Sequence, residues 1–273
     1  MAQLVEHHLA KVRVAGSNPV VRSIRVSSRA VFRSLAVVCM VVAAGCSPSE
    51  RHDATVAAAS DTRDAFAEVA ALVQRDSGYD VGFVFGSSGM LREQVLADAP
   101  YDVYVSANTA YVDELIAAGA AVGESRQAFA QGRLAIISAA GTTLPVSIAD
   151  FDASLRIVIA NPAHAPYGVA AREAMIASGV YDTLRNRVVF ADNVADVVRI
   201  VDSGEADVGI VALALVVQRE HTLVDRQLHA PIRQSAVLTQ RGGANQAAKA
   251  FLVALSSPEG RAILQRYGFT VEP

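Results

Sequence analysis

The chain has 273 residues, 52% hydrophobic and 6% aromatic, with no tryptophan; that is enough apolar surface for one large core or two modest ones, and too much for a disordered chain. Its formal charge of −3 is unevenly spread: residues 1–45 hold six of the 24 basic residues but only Glu6 of the 27 acidic ones, leaving 18 basic and 26 acidic residues from Cys46 onward, a net −8. A body this acidic excludes nucleic acid, whose phosphates need clustered Lys and Arg.

In chain order, the basic start runs into LAVVCMVVAAGC, residues 35–46. This apolar stretch is short of the roughly 20 residues a spanning helix needs and reads as a signal-peptide core, so export is expected. Its end, AAGCS, resembles the bacterial lipobox, with Ala43 where a leucine is usual. That resemblance implies acylation of Cys46; the other reading is an ordinary cleaved signal. Residues 1–45 are then leader and 46–53 linker. The first twenty residues resemble a translated tRNA T-arm, which puts the expected translation start near Val26 or Val31. The two cysteines are Cys39 and Cys46, so the body has none and neither a disulfide framework nor a Cys metal site is available to it.

From Ala54 the pattern is strand then helix, repeated, which predicts α/β layers with mostly parallel sheets. A strand over 54–60 precedes a helix with Phe66, Val69, Ala70 and Val73 at i, i+3, i+4 and i+7. Strand 81–86, a helix from Ser88 to Asp98, strand 101–107 and a helix closed by Gly119 follow. Strand 133–138 opens a second neighbourhood, then strand 156–161, a helix from Gly168, a strand around 190–193, a helix on Val194, Val197, Val198 and Val201, and strand 206–213. A strand over 231–240 returns toward the first region. Two helices end the chain, the last with Ser257 as cap, Pro258 at its first position and Glu259 in its first turn. Two lobes result, 54–131 with 236–273 and 132–235, joined by two crossing strands with a cleft between them.

Four strand-to-helix junctions face that cleft: AAAS (57–60), FGSSG (85–89), APYG (165–168) and ADNV (191–194). All are small, neutral and rich in donors. A helix N-terminus carries unpaired N–H groups and about half a positive charge, so several converging on one point bind an anion without a cationic side chain. Ser87 and Ser88 are expected to cap their helix and to offer hydroxyls. At about 1.5–3 kcal/mol per hydrogen bond to a charged group, about five to seven outweigh the desolvation of a small dianion.

Enzyme signatures are absent. FGSSGML lacks the lysine of a phosphate-binding loop, no G-x-S-x-G elbow or G-x-G-x-x-G exists, and no histidines pair at i, i+4. His164 is expected as a structural or rim residue, and Asp102 as a loop-anchoring carboxylate.

The chain resembles the molybdate-binding members of the type II periplasmic substrate-binding proteins. The resemblance runs from Ala54 to the end and rests on AAAS (57–60), FGSSGMLREQVLADAPYDVYVSAN (85–108), NPAHAPYGVAAREAM (161–175), ADNV (191–194), DVGIV (207–211) and RYGFTV (266–271). It implies a tetrahedral oxyanion held between the lobes through its oxygens, by hydroxyl and backbone donors of Ser60 and Ser88 and backbone N–H groups of Tyr167 and Val194. The family's fifth contact, a tyrosine hydroxyl after the strand GIV, is Ala212 here. Losing such a donor weakens binding by one to two decades at about 1.5–3 kcal/mol. The Tyr167 hydroxyl is a candidate replacement; the alternative is that Tyr167 stacks on the rim of a larger pocket.

The resemblance thus implies an exported, lipid-anchored, monomeric protein without enzymatic activity or cofactor, binding molybdate or tungstate for an ATP-driven importer of the inner membrane. Three rivals stay open: the same fold with another oxyanion or an organic acid, motivated by Ala212; an exported hydrolase using Ser88 and His164; and a ligand-sensing lipoprotein.

Overall fold

In the computed structural model, residues 52–271 are described; the leader, Cys46 and the expected start positions lie outside them. The first half of the fold comprises β1 (Ala54–Ala59), α1 (Arg63–Ser77), β2 (Val81–Gly86), α2 (Ser88–Leu96), β3 (Val103–Ser106), α3 (Thr109–Ala117) and β4 (Gln127–Gly132). Next come β5 (Leu134–Ser138), β6 (Ile157–Ala160), α4 (Pro166–Ala177), α5 (Tyr181–Leu184), β7 (Val188–Ala191), α6 (Val194–Asp202), β8 (Val208–Ala212) and β9 (Thr222–Leu223). The chain then returns as β10 (Ile232–Leu238), α7 (Gln246–Ser256) and α8 (Pro258–Arg266).

The strands form two five-stranded sheets, ordered β2-β1-β3-β10-β4 and β7-β6-β8-β5-β9. In each, four strands point one way and the fourth in spatial order is reversed: β10 runs antiparallel to β3 and β4, and β5 antiparallel to β8 and β9. Each reversed strand is the one that enters its lobe by a crossing. β4 passes through Arg133 into β5, and β10 lies in the first sheet from Ile232, which pairs with Gly132. The two crossings therefore run side by side, as the sequence led us to expect.

Burial explains which segments became strands. Four-residue β6 (IVIA) and five-residue β8 (VGIVA) are buried at every position, the mark of a sheet covered on both faces. In the first lobe the α1 stripe brings Phe66 within 5.3–6.1 Å of Phe251, Phe83 and Phe129, ring centre to ring centre. On the opposite face Leu91, Val112, Leu115 and Tyr104 pack as a separate cluster. Helix starts are set by side chains: Asn108, Asn193, Asn245 and Ser257 each accept a first-turn amide.

Several elements differ from expectation, α5 and β9 among them, which the sequence analysis did not place. β4 (QAFAQG) was not foreseen, because its polar and glycine ends mask a short apolar centre. β7 begins at Val188, two residues before the expected strand. α4 begins at Pro166, because proline's fixed φ suits the first helical position.

Candidate functional site

The four junctions converge. Ser60, Asp61, Ser87, Ser88, Tyr167 and Val194 line one cavity between the sheets, with about 10 Å³ open to the centre of a water molecule. That is about the room one water molecule needs. Ser60, Ser88, Tyr167 and Val194, the four positions expected to contact ligand, are all at least 96% buried.

Local structure leaves each junction with unspent donors. At α6, Asn193 Oδ1 takes the amides of Ala195 (3.0 Å) and Asp196 (3.2 Å), which leaves the Val194 N–H at the first helical position. At α4, Pro166 has no N–H and Ala165 offers no capping side chain, so the Tyr167 amide is the first donor of that helix. At α2, the Ser88 hydroxyl accepts from Ala107 N (3.1 Å), so its own hydrogen is available to the cavity. The Tyr104 hydroxyl, donating to Ser88 O at 2.8 Å, holds that turn from below. The Ser60 hydroxyl, at the start of the short turn Ser60–Thr62, accepts from Ala195 N at 3.4 Å.

Ser87 does not cap α2 as expected. Its Oγ lies 2.7 Å from His164 Nδ1, across the cleft. Gly89 N donates to His164 O (2.9 Å), and a Cβ on Gly89 would stand 2.8 Å from that oxygen, so only glycine permits the approach. With the Ala195–Ser60 bond, three hydrogen bonds span the cleft and hold the lobes closed. His164 thus sits at the rim against Ser87, not Ser88, and the Ser88 hydroxyl has no base beside it. Asp102 anchors strand ends: its Oδ2 accepts from Thr55 N (2.8 Å) and its backbone oxygen from Thr239 N (3.0 Å).

Tyr167 turns its hydroxyl toward the crossings. A Cβ on Gly132 would come within 2.0 Å of it, and Gln234 Nε2 lies 3.5 Å away. Sequence reading did not single out the group beside it. Asp61 is 1% exposed, its Oδ2 accepts from Gln234 Nε2 at 2.6 Å, and its Oδ1 has no hydrogen-bond partner among the described residues. Burial pushes its carboxyl up to about 7, opposed by the neighbouring Tyr167 hydroxyl and Gln234 amide. Burial, and then Asp61, raise Tyr167 well above the ordinary tyrosine range, so its hydroxyl keeps its proton. Ala212 is fully buried at the end of β8 and does not reach the cavity lining.

Known proteins are similar to this chain in sequence and fold. The family model for bacterial extracellular solute-binding proteins matches residues 54–270. The molybdate-binding protein ModA of Rhodobacter capsulatus is 33% identical over 233 residues, 82% of this chain and 91% of its own. A putative ABC transporter substrate-binding lipoprotein of Bacillus subtilis, YvgL, is 24% identical over 87% of this chain and 96% of its own. The solved periplasmic molybdate-binding protein of Azotobacter vinelandii superposes with a TM-score of 0.75 at 28% identity, covering 81% of this chain and all of that one. With both sheets, both crossings and the shared cavity inside the matched residues, the chain belongs to the bacterial extracellular solute-binding proteins and has their two-lobed type II periplasmic binding fold.

Proposed function

We propose that the protein captures molybdate, and tungstate with it, between its lobes and delivers the closed complex to an ATP-driven importer of the inner membrane, without transforming it. The observation that carries this reading is the cavity itself: Ser60 and Ser88 of one lobe and Tyr167 and Val194 of the other line it together, with no cationic side chain among its lining residues, and on this reading their hydroxyls and amides are the donors. Neutral donors at helix starts suit a dianion. Selection against sulfate rests on size, because the two anions are alike in charge and shape and differ in bond length. The contacts are to oxygen; no side chain ligates the metal. The 33% identical relative named for molybdate supports the same ligand here. A relative named as a lipoprotein supports anchoring through Cys46. We take the protein to act as a monomer with no cofactor. Ala212 favours a second reading, the same capture mechanism tuned to another oxyanion.

A thermal-shift panel with molybdate, tungstate, sulfate and phosphate tests this. A ligand at a thousandfold over its Kd stabilises by about 4 kcal/mol, so molybdate and tungstate should raise Tm clearly and sulfate and phosphate should not. A shift for phosphate or sulfate alone would favour the second reading. Turnover of phosphate or acyl esters would overturn both.

A further inference from the structure

The lining of the anion cavity contains one group that does not belong with neutral donors. Asp61 follows Ser60 in the turn at the end of β1, lines the cavity, and is buried with Oδ2 held by Gln234, the Tyr167 hydroxyl beside the carboxyl, and Oδ1 without a geometrically sound hydrogen bond among the described residues. An ionised carboxylate there would face a bound dianion across a few ångströms, a repulsion the site could not tolerate. A neutral carboxyl reverses the interaction, because it carries an O–H donor. We propose that Asp61 is a further contact to the bound oxyanion, donating a hydrogen bond through protonated Oδ1, so that capture of a doubly negative oxyanion takes up one proton from solvent. This rests on the molybdate reading above and deepens it: the donor missing at Ala212 is supplied from the other lobe, in a form that exists only when protonated.

The surroundings permit it. With Oδ2 accepting from Gln234 Nε2 (2.6 Å), the proton belongs on Oδ1. The titratable groups on elements packed against the Ser60–Thr62 turn or its carboxyl are Arg63, Asp64, Glu68, Arg75 and Asp76 on α1, Asp196, Arg199 and Asp202 on α6, Tyr167, Arg172 and Glu173 on α4, and Arg233 on β10; of these, only Tyr167 acts on Asp61. A carboxyl that titrates near 7 is poised for this role, and a bound dianion raises it further. His164 also lies at the rim, on Ser87, so the test must separate the two residues.

Titrate the full exported chain with sodium molybdate by calorimetry from pH 6 to 9. Affinity should be nearly flat below pH 7 and fall about 50-fold from pH 7 to pH 9, the limiting slope being about tenfold per pH unit for one proton. At pH 8, binding enthalpies in buffers of different ionisation enthalpy should report close to one proton taken up per molybdate. Asp61→Asn keeps a donor and removes the ionisation, so its affinity should vary less than about threefold over the range with no proton uptake. His164→Gln should retain the uptake. Molybdate affinity of the natural chain that is constant or rising with pH overturns the proposal, as does an uptake that persists in Asp61→Asn or vanishes in His164→Gln. If Asp61→Asn does not fold, the buffer series on the natural chain and on His164→Gln decides alone. Failure to bind molybdate at any pH overturns the ligand reading and this proposal together, whereas binding without proton uptake overturns only this one.

Discussion

The two lobes share a strand order and a reversed fourth strand, yet they contribute different chemistry to the cleft. On the proposed reading the first lobe presents side chains: the hydroxyls of Ser60 and Ser88, and the carboxyl of Asp61, all from residues that line the cavity. On the same reading the second presents backbone: the amides of Tyr167 and Val194, left over after Pro166 and Asn193 have set their helix starts. A backbone donor is fixed by the helix and cannot be lost by ordinary substitution, whereas a hydroxyl or a carboxyl can be replaced. The lobe that carries side chains is therefore where ligand choice can drift, and the lobe that carries amides is where closure is completed.

Preventing closure should have the largest effect. Gly89→Val places side-chain atoms where a Cβ alone would already be 2.8 Å from His164 O. The second lobe's two amides would then be out of reach, and at about 1.5–3 kcal/mol each molybdate affinity should fall by about two to four decades. Far-ultraviolet circular dichroism should stay unchanged, because valine fits the first turn of α2 with only a small loss of helix propensity. Undiminished affinity would mean that the first lobe binds alone, and the division of labour would be gone.

Next in size is a stability effect of the acid that the first lobe carries. The Asp61 carboxyl titrates at 3.8 in an ordinary setting and about 7 in the fold. Below pH 4 it is protonated in both states and costs nothing. As the pH rises from 4 to 7 the unfolded chain releases its proton while the folded one keeps it, so stability is lost through that window and stays lost above it. About three pH units at 1.36 kcal/mol each put the upper limit near about 4 kcal/mol. Ligand-free Asp61→Asn should thus be more stable than the natural protein at pH 8 by up to that amount, with the gain shrinking toward pH 4. Urea unfolding at the two pH values measures it; an equal gain at both would show that the acid is not held neutral by burial.

The fold was largely legible because its buried strands are continuous apolar runs and its helices have regular stripes. Of the expected stripe Val194, Val197, Val198 and Val201, all but the half-buried Val198 are buried. β4 escaped notice because its pairing with β10, not its own composition, makes it a strand. Within the site, Ser60 and Ser88 could be read from the small residues before a helix, and the amides of Tyr167 and Val194 only through resemblance, since any residue has an N–H. Asp61 could not be read at all. An acid just after a serine at a helix start looks like an exposed partner of the helix dipole; burial came from α4 and β10, far away in sequence. The same tertiary cause turned Ser87 from a cap into a partner of His164.

Single hydroxyl deletions come third. Ser60→Ala and Ser88→Ala each remove one donor to a charged oxygen, about 1.5–3 kcal/mol, so each should weaken molybdate by about ten- to a hundredfold. Ser88→Ala should be the costlier for the fold as well, because the Ala107 amide loses its acceptor. Titration calorimetry on both variants checks the order. If either binds like the natural chain, its hydroxyl points away from the ligand.

The finest division between side chain and backbone lies at one residue. Val194 occupies the first helical position of α6, where proline is tolerated because the N–H has no partner within the helix. Asn193 before it is already extended, at φ −151° and ψ 173°, as a residue preceding proline must be. Val194→Pro therefore deletes one amide hydrogen with little disturbance, and affinity should fall about ten- to a hundredfold, as for a lost serine hydroxyl. Val194→Ala deletes most of the side chain and keeps the amide; it costs packing in a buried site, yet molybdate affinity should change by less than about threefold. Equal losses in the two variants would mean that the valine methyl groups, not the amide, shape the cavity. Only the unequal result is consistent with a second lobe that binds through its backbone.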